Sequence, residues 1–272
     1  MAPAQPDALT AAAIAAYNGG DATRAAELCR QILAADAEHA AAHQLLALIC
    51  LGAGDARQAR RHAERSLRAR PGHVPTLLLA GRAALADDDA AAAAISFAQA
   101  AALAPAQPEP ALLAADALLK LDQADAAAEL LERATAAQPQ QAAVWFGLGT
   151  ARRQAGHPAT ACAAFEQGLA LNPQQAGAWF NLGMLRQDMA DLPGAITAFG
   201  KVLALRPDDA EAAVNLGIVQ QESGRIDDAL AHYRLAYRLR PDTFGRIAFA
   251  LSAAPSGRLC LDIDALRRLL AA

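Results

Sequence analysis

The chain has 272 residues, a formal net charge of −4 and 54% hydrophobic residues, among which alanine dominates while aromatics supply only 4%. So mild a charge excludes a global pull toward nucleic acid or an anionic membrane. Alanine is the best helix former, so thin, closely spaced helical layers are expected rather than one thick core. Cys29, Cys50, Cys162 and Cys260 lie far apart with no CxxC spacing. That argues against a zinc ribbon or redox pair and suits free thiols in a reducing compartment. MAPAQPDALTAAAIAAYN has no basic region ahead of its apolar part, as a secretory signal would. The run from Ala90 to Ala104 is too short and too weakly apolar to span a bilayer. The cytoplasm is the expected location, with no membrane insertion.

Along the chain, Pro71, Pro105, Pro139, Pro173, Pro207 and Pro241 each follow the last by 34 residues. Equal spacing of that length marks a helical-hairpin array. The frame extends back to residue 6 without insertion and predicts seven units: 6–39, 40–73, 74–107, 108–141, 142–175, 176–209 and 210–243. Two further ladders keep the same register. One is Ala25, Ala59, Ala93, Ala127, Ala161, Ala195 and Ala229, opening each second helix. The other is Ala13, Ala47, Gly81, Ala115, Gly149, Gly183 and Gly217, where two helices must approach closely. The first unit deviates, with Asp36-Ala37 for Asp-Pro and Leu9 where later units carry tryptophan. Terminal repeats do so because one face meets solvent. The fourth follows the proline-dense stretch from Pro105 to Pro110 and has Ala111 at the tryptophan position.

After Pro241, Phe244 to Ala253 reads as the first helix of an eighth unit, with Ile247 and Leu251 apolar. Pro255-Ser256-Gly257 breaks it. Leu259, Leu261 and Ile263 then alternate with polar residues, suggesting a short extended segment. Asp262 or Asp264 would cap a last helix with Leu266, Leu269 and Leu270. The segment 244–272 is thus expected to be a half-repeat and a C-terminal cap, the alternatives being a docking element or the start of a larger chain.

The best-formed unit, Ala176 to Asp209, places Trp179, Leu182 and Gly183 on its first helix, Ala195, Phe199 and Val202 on its second, and Pro207 at its close. This resembles the tetratricopeptide repeat, whose pattern is Trp-x2-Leu-Gly-x2-Tyr, then Ala-x3-Phe, then Pro. The resemblance implies an all-α, right-handed α-solenoid superhelix whose first helices line a concave groove. Counting from the Leu-Gly pair, Leu78, Leu112, Phe146, Phe180 and Val214 form an apolar line along that groove, with Thr150, Met184 and Ile218 beside it. Asn181 and Asn215 precede their Leu-Gly pairs and should face the groove. Their placement resembles the asparagine ladder of O-GlcNAc transferase repeat domains, where such amides grip a partner's backbone. Only two units match, and an asparagine simply left to solvent is an equal reading.

No phosphate loop, GxSxG elbow or HExxH stands in a suitable context, and no cofactor is expected. His39 and His43, four apart with His62 nearby, come closest to a metal pattern. But His39 falls in a turn, His43 takes the tryptophan position, and no completing ligand is evident, so no metal site is expected. Arginines cluster between Arg57 and Arg70 and again at Arg234, Arg238, Arg240 and Arg246, with acidic residues between. These belong mostly on solvated faces, and the groove has no basic stripe interleaved with aromatics to suit nucleic acid. The sequence therefore points to a non-catalytic, bacterial-style scaffold that binds a peptide segment of a partner through Phe146, Thr150, Phe180, Asn181, Met184, Val214, Asn215 and Ile218. The alternatives are the repeat region of a glycosyltransferase, sulfotransferase or methyltransferase, and a self-assembling homo-oligomer.

Overall fold

The computed structural model describes residues 6–252 and 263–271. These residues are helical throughout apart from short turns, with no strand among them. The chain divides into two compact units, 1–147 and 148–272.

In the first unit the helices are α1 (Pro6–Asn18), α2 (Ala22–Ala35), α3 (Ala40–Gly52), α4 (Ala56–Ala69), α5 (Val74–Ala86), α6 (Ala90–Leu103), α7 (Pro108–Lys120) and α8 (Ala124–Ala137), followed by the start of α9 (Ala142–Gln154). From α1 to α8 each helix packs on the next in the chain. The second unit takes the rest of α9, then α10 (Pro158–Leu171), α11 (Ala176–Asp188), α12 (Leu192–Leu205), α13 (Ala210–Glu222) and α14 (Ile226–Leu239). A turn of 3-10 helix at Pro241–Thr243 leads into α15 (Phe244–Ser252), and α16 (Ile263–Ala271) closes the described chain. Consecutive packing holds from α10 to α14, while α15 lies on α13 and α16 on α14. The extended segment expected at Leu259 to Ile263 lies outside the described residues, except that Ile263 opens α16.

Each hairpin is set by local chemistry that recurs every 34 residues. The turn between its two helices needs one residue with φ > 0, supplied by Gly20, Gly54, Gly156 and Gly224, and by Asp88, Asp122 and Ala190. Next comes the N-cap. Asp21, Asp55, Asp89 and Asp191 accept from the backbone N–H three residues on, at 2.8 to 3.1 Å. The alanines that open the second helices are buried in every hairpin. Facing them, Gly81, Gly149, Gly183 and Gly217 lie directly against the rings of Phe97, Phe165, Phe199 and Tyr233.

A further bond recurs at the tryptophan position. Trp145 donates its Nε1–H to the Pro139 carbonyl, and Trp179 does so to the Pro173 carbonyl, both at 2.9 Å. His43 stands in the same frame, and its Nε2 lies 3.0 Å from the Ala37 carbonyl. A carbonyl only accepts, so His43 carries its proton on Nε2. At Ala111 the side chain can donate nothing. The matching Pro105 carbonyl instead accepts from Gln138 Nε2 at 2.6 Å, a residue a full repeat further along.

At the end of the second unit, Ile247 and Leu251 of α15 and Leu266 and Leu270 of α16 are buried with Ala213, Val214 and Tyr233. The Tyr233 hydroxyl donates to Gln221 Oε1 at 3.0 Å, and Gln221 Nε2 donates to the Ala250 carbonyl at 2.8 Å. Arg234 Nε donates to the Leu269 carbonyl at 2.9 Å. Asp264 pairs with Arg267 within the first turn of α16, and Asp262 lies outside the described residues.

Candidate functional site

The eight groove residues expected from the sequence do not share one environment. Phe146 lies in the first unit, half-buried, and the other seven lie in the second. Thr150 is half-buried on α9. Phe180 packs its ring edge-on to Phe199, centroids 5.6 Å apart, which fixes its rotamer while leaving part of the ring outward. Asn181, beside it on α11, is half-exposed, and its amide makes no side-chain hydrogen bond among the described residues.

Val214 and Asn215 differ from the expectation of groove-facing, accessible side chains. Val214 is 0% exposed and belongs to the cluster closed by Ile247 and Leu251. Asn215 is 5% exposed. Its Nδ2 donates to the Met184 sulfur at 3.7 Å, and its Oδ1 accepts from Arg246 Nη2 at 2.9 Å. The cause is α15, which lays Ile247 and Arg246 against α13. Arg246 also reaches Glu211 at 3.3 Å. Ile218 is half-buried against the same cluster, and Met184 half-buried beside Phe199. The asparagine at 215 is thus held by its own chain, whereas the one at 181 makes no such bond among the described residues.

Phe180 and Asn181 line an open depression of about 450 Å³ whose other walls include Arg206, Asp209, Glu211 and Arg240. Arg206 pairs with Asp209 at 3.2 Å and Arg240 with Asp242 at 3.2 Å, so the rim is charged but balanced. Helical spacing from the Leu-Gly pair does not reach these four residues, because Arg206, Asp209 and Arg240 belong to turns between hairpins and Glu211 to the first turn of α13. One signal was present in the sequence: Arg70, Arg206 and Arg240 all immediately precede a closing proline.

In the first unit His43 and His62 are occupied with each other, while His39 caps α3. His39 Nδ1 accepts from the Ala42 N–H at 3.3 Å as an N-cap, and His43 Nδ1 lies 3.0 Å from His62 Nδ1. With His43 protonated on Nε2, its Nδ1 accepts, so His62 donates from Nδ1. Burial, the neighbouring His43 and the Arg65 guanidinium together push the His62 pKa down from its ordinary value. Among the described residues no group of three His, Cys, Asp or Glu side chains is placed to hold a metal ion. Nor is any helix among them long and apolar enough to cross a membrane.

The tetratricopeptide-repeat family model matches residues 112–176, 148–186 and 180–243, and the hairpins before residue 112 repeat the same turn, cap and packing positions. The chain is a tetratricopeptide-repeat protein. No curated protein matches it in sequence. Among solved structures, it is similar to the C-terminal part of a TPR repeat-containing protein from Cytophaga hutchinsonii, at 13% identity and TM-score 0.71, covering 85% of this chain and 95% of that one. MamA from Desulfovibrio magneticus RS-1 gives 24% identity and TM-score 0.54, covering 62% and 96%. Naa15, in its complex with Naa10 and HypK, gives 16% identity and TM-score 0.59, covering 92% of this chain and 39% of that chain. At these identities the likeness is one of fold.

Proposed function

We propose that the chain is a cytoplasmic, non-catalytic interaction scaffold that binds an extended segment of a partner protein at the depression formed by Phe180 and Asn181. The observation that carries this is the contrast between two equivalent asparagines. Asn215 is buried and doubly bonded within the chain, whereas the Asn181 amide, beside a partly outward aromatic ring, makes no side-chain hydrogen bond among the described residues. An asparagine in mid-helix costs several tenths of a kcal/mol relative to the alanine used nearly everywhere else. A partner's backbone returns that cost by filling the amide's donor and acceptor, while Phe180 takes an apolar side chain. The balanced rim of Arg206, Arg240, Asp209 and Glu211 suits a polypeptide of mixed charge rather than a phosphate backbone. The free thiols Cys29, Cys50 and Cys162 suit a reducing compartment. In this reading α15 and α16 act as the cap of the array.

The test begins with peptides selected from a displayed library on the intact chain. Asn181→Ala should weaken the selected peptides by more than tenfold, or about 1.4 kcal/mol, with helicity unchanged. Arg240→Glu should change the salt dependence of binding. Peptides that bind both variants as tightly as the parent chain would overturn the site.

A further inference from the structure

Beside Ala111 lies a cavity of about 290 Å³, lined mainly by small side chains of α6, α7 and α8, among them Ala98, Ala101, Ala111, Leu130 and Ala134. Its origin is readable from the repeat frame. Ala111 stands where Trp145 and Trp179 stand, and Ala101 where Leu33, Leu67, Leu169 and Leu203 stand. Two truncations meet in one place, and the space that an indole fills in other hairpins is left open. The cavity also has a polar feature aimed at a specific chemistry. Gln138, on its wall, is 8% exposed. Its Nε2 takes the Pro105 carbonyl, and its Oε1 is buried with no hydrogen-bond partner among the described residues. A buried acceptor left unpaired costs about 1–3 kcal/mol, so it marks a group that a ligand can complete.

We infer that this cavity is a binding site for a free, indole-sized aromatic molecule bearing an N–H donor. The ring occupies the space vacated at Ala111 and Ala101. Its N–H donates to Gln138 Oε1, while Gln138 Nε2 keeps its bond to Pro105. The amide thereby relays the bond that Trp145 and Trp179 make directly to their own carbonyls. The size is adequate, since an apolar cavity of about 150 Å³ already admits benzene. The site is separate from the depression at Asn181, and its fate is independent of the function proposed there.

The probe is indole, followed by thermal unfolding and by the ¹⁹F line of 5-fluoroindole on the full chain. Indole at roughly ten times its Kd should raise Tm by about 3 °C. 1-Methylindole, which lacks the donor, should bind at least about tenfold more weakly. Ala111→Trp should fill the cavity and abolish binding of the probe. Should that variant fail to fold, Ala101→Leu, which restores the leucine of the other hairpins, should weaken binding in its place. No change of Tm or fluorine line with indole, equal binding of 1-methylindole, or undiminished binding in whichever of these variants folds would each overturn the assignment. Tighter binding of N-acetyl-tryptophanamide than of indole would overturn it in favour of a peptide side chain.

Discussion

Gly183 lies so close to the ring of Phe199 that a Cβ at position 183 would stand 2.8 Å from Cε1. The same relationship joins Gly81 to Phe97, Gly149 to Phe165 and Gly217 to Tyr233. Where this position is instead Ala13, Ala47 or Ala115, the residue in the aromatic's place is Cys29, Ala63 or Leu131. The size of one side chain thus sets the size of the other across every hairpin. Gly183→Ala should destabilise the chain by about 1–3 kcal/mol, as overpacking does. Combined with Phe199→Leu it should cost less than the sum of the two single changes, because they share one contact. Urea midpoints of the three variants measure this.

Ala190 holds φ at 61°, in the position that Gly20, Gly54, Gly156 and Gly224 fill in other hairpins. A Cβ is strained there. Ala190→Gly should therefore raise stability by about 0.5–1 kcal/mol despite glycine's greater freedom when unfolded. Asp88→Gly and Asp122→Gly should gain less, since aspartate tolerates this backbone better. The check is a shift in urea midpoint at constant slope.

Tyr233 is fully buried, and its hydroxyl depends on Gln221. Burial, with a smaller push from Glu222, raises its pKa well above the ordinary tyrosine value. Tyr233→Phe should cost about 1 kcal/mol, the net worth of one hydrogen bond. Gln221→Ala should cost about 1–3 kcal/mol, because it strands the hydroxyl and also frees the Ala250 carbonyl. Equal losses from the two variants, read by chemical denaturation, would show that the glutamine does not hold α15 in place.

The His62 imidazole resists its proton in the folded chain, whereas the unfolded side chain titrates near 6.5. Below that pH the unfolded state binds more protons, so stability falls as pH drops from about 6.5 and levels once folded His62 is protonated too. His62→Gln keeps an N–H donor for His43 and should flatten the slope between about pH 5 and 7. A remainder should persist from His73, whose pKa is lowered by burial and by Arg70.

The helical hairpins were legible because their signals are local. Equally spaced prolines, a capping aspartate and a glycine opposite an aromatic each act within one unit. The left-handed backbone at Ala190 was not, since alanine carries no sign of it and only the turn geometry demands it. Accessibility at the candidate site was half legible. Helical spacing found Phe180 and Asn181, yet it could not show that Arg246 would bond to Asn215, because α15 belongs to a repeat that breaks off. Likewise, Ala111 was visible as a missing tryptophan. That Gln138 would supply the lost donor depends on a contact across 33 residues that no periodicity encodes.

The indole bond from Trp145 to Pro139 carries a practical consequence for recombining such chains. The donor sits in one hairpin and its acceptor at the end of the hairpin before. A cassette cut from 139 to 172 keeps Pro139 with Trp145 and Gly149 with Phe165, and should graft intact. A cut made a few residues later, just ahead of α9, would part the indole from its acceptor, so the new junction would have to present a backbone carbonyl in the same frame, as Ala37 does for His43.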